Sequence, residues 1–194
     1  MKTNTIRILI VEDDLDFCYL IKNTLSTLDG FSVLGECQDA SHASALAMEL
    51  QPDIVLMDLN LSSTDLDGIE AGRQIRLATD AKIIILTAFE DPEIVIDACV
   101  GSFASAYVFK SQFELLTDTI RNTACGSTPQ KYLIHAAILS CLSPAEKSVF
   151  DLMLGKSVDL QSSSKTIANQ KTSVLKKLGL KSQKELVHIF SEKC

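Results

Sequence analysis

The carboxylates that follow two apolar runs are the residues of this chain best suited to chemistry. Asp58 ends the run 54–57, and an acidic triplet at 12–14 ends the run 8–11. The carboxyl ends of parallel strands meet at one edge of a sheet, so these carboxylates would lie together there. Like charges repel at close range, and a hard cation such as Mg²⁺ best neutralises a cluster of oxygen ligands. The pattern therefore predicts a site for Mg²⁺-assisted phosphoryl chemistry on Asp58.

Each of five side chains at predicted strand ends has a physical role in that chemistry. Asp58 can act as the nucleophile and form an acyl phosphate, while Glu12 and Asp13 can hold Mg²⁺ directly or through water. Lys110 can pair with one phosphoryl oxygen, and Thr87 can donate its hydroxyl to another. Single residues of these types commonly serve as caps, turns or solvated charges. Five such residues together at the ends of four predicted strands favour a functional site over a purely structural role.

Five apolar runs alternate with amphipathic stretches over the first 125 residues. This succession of β-α units predicts an α/β fold, with a five-stranded parallel sheet covered by helices on both faces. Asp91-Pro92 marks one helix start, because it places an N-cap before a proline at the first helical position. The predicted strands lie at 6–11, 31–36, 53–57, 82–86 and 106–109, and the predicted helices at 15–28, 43–50, 68–77, 92 onward and 112–125.

Charge divides the chain into an acidic front and a basic tail. Residues 142–194 carry a net charge of +4 from nine lysines and five acids, whereas the other 141 residues carry −11. The change of sign favours two domains with different partners, and a lysine-rich tail could hold nucleic acid. A solvated lysine surface without a partner would give the same charge count.

Composition indicates a cytoplasmic protein that does not enter a membrane. No apolar run approaches the ~20 residues of a membrane span. The 194 residues are 46% hydrophobic, which is enough for a packed core. The six cysteines share no C-x-x-C spacing, so we expect mostly buried, reduced thiols rather than metal ligands.

A break in the pattern at 126–129 (Gly-Ser-Thr-Pro) predicts the boundary between two domains. The helices predicted in the tail begin at clear capping signals. Capping boxes stand at 143–146 and 182–185, and Ser163 opens a further helix that ends at Gly179. We expect an α/β domain at 1–125, a linker with a short apolar helix at 126–141 and a small all-α domain at 142–194.

The first domain resembles the receiver domain of two-component response regulators, which has a doubly wound, flavodoxin-like fold. The resemblance implies that Asp58 accepts a phosphoryl group from a histidine kinase. It also implies that Glu12 and Asp13 form the acidic pair that binds Mg²⁺, and that Asn60 offers its backbone carbonyl to the ion. The matching segments are 8–14, 53–59, 68–70, 83–88 and 107–110.

The same resemblance places Thr87 and Tyr107 at the family's switch positions. On phosphorylation the threonine is expected to move toward the phosphate and the aromatic ring to swing inward, which reshapes the face of the fourth helix, fifth strand and fifth helix. Two departures stand near the site. The loop 59–68 is slightly longer than usual and lacks the proline common there, and Ser111 stands where the family usually has proline. We expect both to alter phosphoryl lifetime or kinase docking.

The tail resembles the helix-turn-helix output domain of the NarL/FixJ (LuxR-type) branch through its segments 142–146 and 165–179. A helix with a polar, lysine-bearing N-terminal half can enter a DNA major groove. The candidate DNA contacts are Lys165, Thr166, Asn169, Lys171 and Thr172.

Two departures from the output pattern keep an alternative open. Between Gly155 and Ser163 the chain is several residues short, in the segment that should form the first helix of the helix-turn-helix. Ala168 and Gln170 stand where the family commonly has lysine and histidine, and alanine cannot contact a phosphate. A tail altered in this way could instead mediate protein interaction or dimerisation without sequence-specific DNA binding.

The leading interpretation is a response regulator that is phosphorylated on Asp58 and controls transcription through DNA, with a homodimer forming on activation. The second is a response regulator whose tail binds protein only. A third hypothesis is an aspartate-dependent phosphatase, but such enzymes need a second acid two residues after the nucleophile, where this chain has Asn60. We therefore expect no enzyme activity beyond phosphoryl uptake and slow autodephosphorylation.

Overall fold

The computed structural model describes residues 5–61, 66–126, 128–159 and 163–191. The chain divides into two compact units, Met1–Ile134 and His135–Cys194. The first is an α/β unit, and the described residues of the second form helices, turns and loops. None of the described helices is both long and apolar enough to cross a membrane. The finer domain bounds derived from the sequence remain a prediction.

Five strands form one parallel sheet in the first unit: β1 Ile6–Val11, β2 Phe31–Cys37, β3 Ile54–Met57, β4 Lys82–Thr87 and β5 Ala106–Phe109. Their order across the sheet is β2-β1-β3-β4-β5, and every neighbouring pair is parallel. The strand order reverses between β1 and β3, which in such sheets opens a crevice at their carboxyl ends. The predicted α/β sheet is confirmed.

The inner strands carry unbroken apolar stretches, at 8–11, 54–57 and 83–86, because both faces of the sheet are covered there. Leu9 and Ile10 in β1, and Val55 and Leu56 in β3, are each at most 1% exposed although successive side chains point to opposite faces. Alternating polar residues would place polar groups in the core. The covering helices are α1 Leu15–Ser26, α2 Ala40–Leu50, α3 Asp67–Ala78, α4 Pro92–Ser102 and α5 Leu116–Cys125.

Aspartate caps fix the starts of two helices beside the carboxyl edge of the sheet. Asp14 Oδ1 accepts hydrogen bonds from the backbone N–H groups of Asp16 and Phe17 at 2.9 and 3.1 Å. Asp91 caps α4 in the same way, and Pro92 occupies the first position of that helix, as predicted. Each cap satisfies N–H groups that have no partner within the helix.

The fifth helix begins later than the predicted span 112–125. Residues Lys110–Leu115 form a 3₁₀ segment, and the α-helix starts at Leu116. Gln112 has backbone angles of φ −117° and ψ 41°, which lie outside the helical region and interrupt the turn. The tighter segment sets the direction in which the chain leaves Lys110.

Helix α6 Pro129–Ile138 leads to α7 Pro144–Met153, α8 Ser164–Lys177 and α9 Gln183–Phe190. The capping box predicted at 143–146 is complete, since each partner's side chain accepts from the other's backbone N–H. The box predicted at 182–185 forms only in part. Ser182 accepts from the N–H of Glu185, but the Glu185 carboxylate accepts from the N–H of Lys181.

The segment between α7 and α8 has no helix in its described part. Residues 154–155 form a turn, residues 156–159 have no regular structure, and residues 160–162 lie outside the described residues. Helix α8 is therefore not preceded by a helix over 154–159. Residues 62–65 of the loop 59–68 also lie outside the described residues, so the effect expected from the length of this loop remains a prediction.

The first turn of α3 approaches the backbone of Asp58 so closely that only glycine fits there. The N–H of Gly68 donates to the carbonyl of Leu59 at 3.1 Å. A Cβ at position 68 would overlap the carbonyl oxygen of Asp58, whereas a Cβ at Gly101 would meet a side-chain atom, the Cγ2 methyl of Ile69. Backbone cannot move aside as a methyl can. Gly68 therefore lets α3 support the residue predicted to carry the phosphoryl group.

We expect Gly68→Ala to displace the Asp58 backbone, to lower the free energy of unfolding by about 1–3 kcal/mol through overpacking, and to slow phosphoryl uptake. Denaturant unfolding and the rate of labelling by acetyl phosphate measure the two effects. Gly101→Ala is the matched control and should keep uptake near that of the wild type. Equal uptake by both variants would contradict the support assigned to Gly68.

Candidate functional site

Three carboxylates meet at the carboxyl ends of β1 and β3. Oxygen atoms of Glu12, Asp13 and Asp58 all lie within 4.8 Å of one another. Glu12 and Asp58 are buried, Asp13 is exposed, and Asp14 is used as the cap of α1. A donor set made only of oxygen, with one member open to water, fits Mg²⁺, which takes few protein ligands and keeps several waters.

Lys110 joins two of these carboxylates. Its Nζ donates to Glu12 Oε1 at 2.8 Å and to Asp58 Oδ2 at 2.7 Å. The same Nζ lies 4.6 Å from the ring centroid of Phe17, where the face of the ring attracts a cation. The other Asp58 oxygen, Oδ1, accepts from the N–H of Leu59 at 2.6 Å. Both oxygens of Asp58 are thus held in place.

The electrostatics show that the cluster is short of positive charge. Burial raises the pKa of Glu12 to about 7, and the nearby Asp58 carboxylate adds to the rise while Lys110 opposes it. Burial would lower the pKa of Lys110, but its hydrogen bonds to Asp58 and Glu12 outweigh this and raise it. The single positive charge of Lys110 therefore cannot neutralise both the Glu12 and the Asp58 carboxylates. A divalent cation at the cluster would favour the ionised form of Glu12.

Thr87, Tyr107 and Asn60 lie near the cluster without joining it. Thr87 ends β4 and is buried, Tyr107 lies in β5 and is partly buried, and Asn60 is exposed two residues after Asp58. Among the described residues, no hydrogen bond links Thr87 or Asn60 to the carboxylates. The structure thus brings Glu12, Asp58 and Lys110 into contact, and places the switch positions on adjacent strands.

The loop that follows Thr87 is tied to the end of β5 by two hydrogen bonds. Tyr107 Oη donates to the carbonyl of Phe89 at 2.6 Å. Ser111 Oγ donates to Glu90 Oε1 at 2.6 Å. A proline at position 111, which the receiver pattern predicts, could not donate this bond. The departure at Ser111 therefore adds a second tie to the loop.

Helix α8 presents a polar face that begins at its cap. Ser163 Oγ accepts from the N–H of Thr166 at 3.2 Å. Thr172 Oγ1 donates to the carbonyl of Ala168 at 3.2 Å, so that hydroxyl is already engaged with the helix backbone. Four of the five candidate DNA contacts, Lys165, Thr166, Asn169 and Thr172, are exposed, and the fifth, Lys171, is partly buried.

Helical periodicity adds a residue that the sequence analysis missed. At 3.6 residues per turn, Lys165, Asn169, Thr172 and Lys176 fall on one face of α8, and all four are exposed. Lys171 is partly buried and falls outside this face. Because Lys176 lies about two helical turns after Asn169, helical spacing would have identified it from the sequence.

A single carboxylate fixes α8 against α7. Glu146 Oε1 accepts from Ser173 Oγ at 2.7 Å, and Oε2 accepts from Lys177 Nζ at 2.7 Å and from the N–H of Ser143 at 2.8 Å. Lys177 also donates to the carbonyl of Cys141 at 3.2 Å. The Lys177 ammonium, followed by the Ser143 N–H, lowers the pKa of Glu146 to about 2. This hub ties α8 to the first turn of α7 and adds to the packing of the buried Val174.

The response regulator receiver domain family matches residues 8–121 of the chain. The transcriptional regulatory protein YdfI of Bacillus subtilis is 30% identical over 210 residues, which cover 96% of each chain. The transcriptional regulatory protein LiaR of the same organism is 33% identical over 138 residues, which cover 71% of this chain and 64% of LiaR. Similarity to YdfI thus extends through both units.

Solved structures show the same architecture. A LuxR-family two-component response regulator from Aurantimonas sp. SI85-9A1 is 32% identical, with a TM-score of 0.60, over 71% of this chain and 97% of that one. RcsB of Salmonella enterica, bound to promoter rprA in the presence of phosphomimetic BeF3-, is 21% identical with a TM-score of 0.57, over 98% of this chain and 100% of that one. The second likeness shows the fold alone.

The Glu146 hub predicts an acid-sensitive C-terminal unit. A carboxyl whose pKa falls from 4.5 to about 2 on folding stabilises the folded state above pH 4.5, and this stabilisation is lost as the pH falls toward 2. Glu146→Gln should reduce stability near neutral pH and flatten its fall over that acid range. Thermal unfolding of the full chain followed by circular dichroism measures both effects, with Glu185→Gln as the control. Parallel pH profiles for the wild type and Glu146→Gln would refute the prediction.

Proposed function

This chain belongs to the response regulator family, and from that premise we propose that a histidine kinase phosphorylates Asp58 and that the protein controls transcription through its C-terminal helices. The observation that carries the proposal is the hydrogen-bonded cluster of Glu12, Asp58 and Lys110 at the carboxyl edge of the sheet. A nucleophilic carboxylate beside oxygen ligands and a fixed cation is what phosphoryl transfer requires. Similarity to a transcriptional regulatory protein along 96% of both chains supports the output half.

Asp58 is the nucleophile of the reaction. The N–H of Leu59 holds one of its oxygens and Lys110 the other, so the carboxylate is oriented before phosphate arrives. Attack of an Asp58 oxygen on phosphorus forms an acyl phosphate, and the histidine nitrogen of the kinase leaves with its electron pair. Lys110 then passes from the carboxylate to a phosphoryl oxygen, where a charge-assisted hydrogen bond is stronger than a neutral one.

We assign Mg²⁺ as the cofactor of this step. When bound, the ion neutralises charge that would otherwise build up as the phosphoryl group approaches the carboxylates. The buried Glu12 and the exposed Asp13, the two residues that follow β1, would supply oxygen, as would Asp58, the residue that follows β3. The proposed ligands are Glu12, Asp13, Asp58 and the backbone carbonyl of Asn60.

Thr87 and Tyr107 carry the signal away from the phosphoryl group. The Thr87 hydroxyl, at the end of the strand beside β3, donates to a phosphoryl oxygen and draws the following loop toward Asp58. The Tyr107 hydroxyl is bonded to the carbonyl of Phe89 in that loop, so it must shift when the loop does. Movement of both residues alters the surface formed by α4, β5 and α5.

DNA is the proposed partner of the C-terminal unit. An asparagine amide can pair with the edge of adenine in the major groove, and lysines neutralise backbone phosphates. A homodimer that forms on activation would place two copies of α8 on two half-sites. The proposed contacts are Lys165, Thr166, Asn169, Lys171 and Thr172, to which the exposed face of α8 adds Lys176.

Loss of the phosphoryl group limits the duration of the signal. Water can hydrolyse the acyl phosphate on Asp58, which returns the carboxylate and releases inorganic phosphate. The residue two positions later is Asn60, which cannot act as the general acid of an aspartate-dependent phosphatase. Autodephosphorylation of Asp58 therefore only sets how long the protein stays phosphorylated, and it acts on no external substrate.

Asp58→Asn should abolish phosphoryl uptake because an amide is not a nucleophile, while the similar shape of asparagine preserves the fold. Intact-mass analysis after incubation with acetyl phosphate measures the uptake. Chelation of Mg²⁺ should slow labelling of the wild type by on the order of a hundredfold or more. Asp53→Asn is the control, since Asp53 pairs with Arg7 just before β3, at the opposite edge of the sheet. A label retained by Asp58→Asn would place the reaction elsewhere.

Selection from random duplex DNA tests the output half, using the full chain with and without a beryllofluoride phosphate mimic. We expect enrichment of a two-fold symmetric motif that strengthens with the mimic. Asn169→Ala should cost about 1–3 kcal/mol and relax one base position, and Lys165→Ala should reduce the salt dependence. Lys184→Ala, on α9, is the matched control. No enrichment in either state, with Asp58 loaded, would overturn DNA binding and favour a tail that binds protein only.

A further inference from the structure

One glutamine side chain attaches the first turn of α6 to the edge of the sheet. Gln130 Oε1 accepts from the N–H of Tyr107 at 3.1 Å, and Gln130 Nε2 donates to the carbonyl of Tyr107 at 3.3 Å. Tyr107 lies in β5, the last strand of the sheet, which pairs with β4 on one side only. The carboxamide therefore copies the pairing that a further strand would make. We call these two bonds the Gln130 clasp.

The clasp is weak enough to open. Gln130 is exposed, so its two bonds exchange readily with bonds to water and contribute little net stability. Tyr132 and Leu133, which follow in α6, are 60% and 72% exposed and add little packing, so the first buried residue of the helix is Ile134. Segments with few buried apolar contacts and solvent-exposed hydrogen bonds open at low cost. The attachment of this turn thus depends strongly on the clasp.

The clasped residue is also bonded to the loop beside the phosphorylation site. Through its hydroxyl, Tyr107 donates to the carbonyl of Phe89, two residues after Thr87. Ser111, near the other end of β5, donates to Glu90 in the same loop. A shift of the loop toward Asp58 would therefore pull on the side chain of Tyr107, the same residue whose peptide groups Gln130 holds.

We propose that the Gln130 clasp is a latch that is closed in the unphosphorylated protein and opens when Asp58 is phosphorylated. The latch rests on the proposed function of Asp58. Helix α6 continues without a break past Ile134 into the C-terminal unit, so opening frees the segment that leads to the output helices. Coupling between two sites is reciprocal, so the closed clasp must also disfavour the phosphorylated state.

Amide hydrogen exchange of Tyr107 in the full chain, measured by NMR, tests whether the clasp exists. Gln130→Leu keeps the size of the side chain and removes both hydrogen bonds. We expect the Tyr107 amide to exchange roughly three- to tenfold faster in this variant. Gln74→Leu is the matched control, because Gln74 is an exposed glutamine of α3 that donates to Glu70 within its own helix. An unchanged Tyr107 rate in Gln130→Leu would overturn the proposal.

Addition of Mg²⁺ and beryllofluoride tests whether the clasp acts as a latch. In the wild type the mimic should accelerate Tyr107 exchange by a similar factor, and in Gln130→Leu it should add nothing further. Gln130→Leu should also bind the mimic more tightly than the wild type or Gln74→Leu by that same factor. A purely structural role for Gln130 would leave mimic affinity unchanged, and that result would overturn the latch.

The Leu59 amide reports loading independently, since it donates to Asp58 Oδ1. A Leu59 signal that shifts with the mimic while Tyr107 exchange stays constant would overturn the latch and leave the proposed function standing. A Leu59 signal that never shifts, in the wild type or either variant, would overturn both.

Discussion

Repulsion between buried carboxylates is the constraint on which the receiver site depends. Two like charges 4 Å apart at an effective dielectric of 20 repel by about 4 kcal/mol, and Glu12 and Asp58 are both buried. The sheet enforces their proximity because β1 and β3 are neighbours, and β5 brings Lys110 to both. The fold therefore holds a cluster whose unfavourable balance of charge a bound cation would relieve.

The sequence was sufficient for the elements that position this site. Stretches buried on both faces of a sheet must be apolar, so the runs 8–11, 54–57 and 83–86 were recognisable in the sequence, and the carboxylates after the first two marked the carboxyl edge. Asp91-Pro92 and the box at Ser143 were equally readable, because a cap depends on residues next to each other in the chain. Spacing alone could not show which carboxylates of the acidic triplet lie in the cluster. The geometry of α1 decides this, because the first turn of that helix takes Asp14 as its cap.

Other features depend on contacts between residues far apart in sequence, and these the sequence could not provide. Nothing next to Gln130 indicates that its amide meets Tyr107, and nothing next to Glu146 indicates that it meets Ser173 and Lys177. The 3₁₀ start before α5 has no capping signal of its own. In the tail, the lack of a helix over 154–159 was foreshadowed by the shortened segment. How α8 keeps its orientation became clear only from the contacts of Glu146.

The strengths of the contacts limit how the two units can communicate. A phosphoryl group on a buried aspartate makes strong, charge-assisted bonds, but a signal passed through two exposed hydrogen bonds carries a coupling free energy of only about 1 kcal/mol. Such a coupling shifts the fraction of open chains by roughly three- to tenfold and does not switch it completely. If DNA requires two open chains on paired half-sites, the dependence on the open fraction is squared. A weak latch in each chain is then compatible with a sharp response, because the proposed dimerisation would supply the steepness that a single clasp lacks.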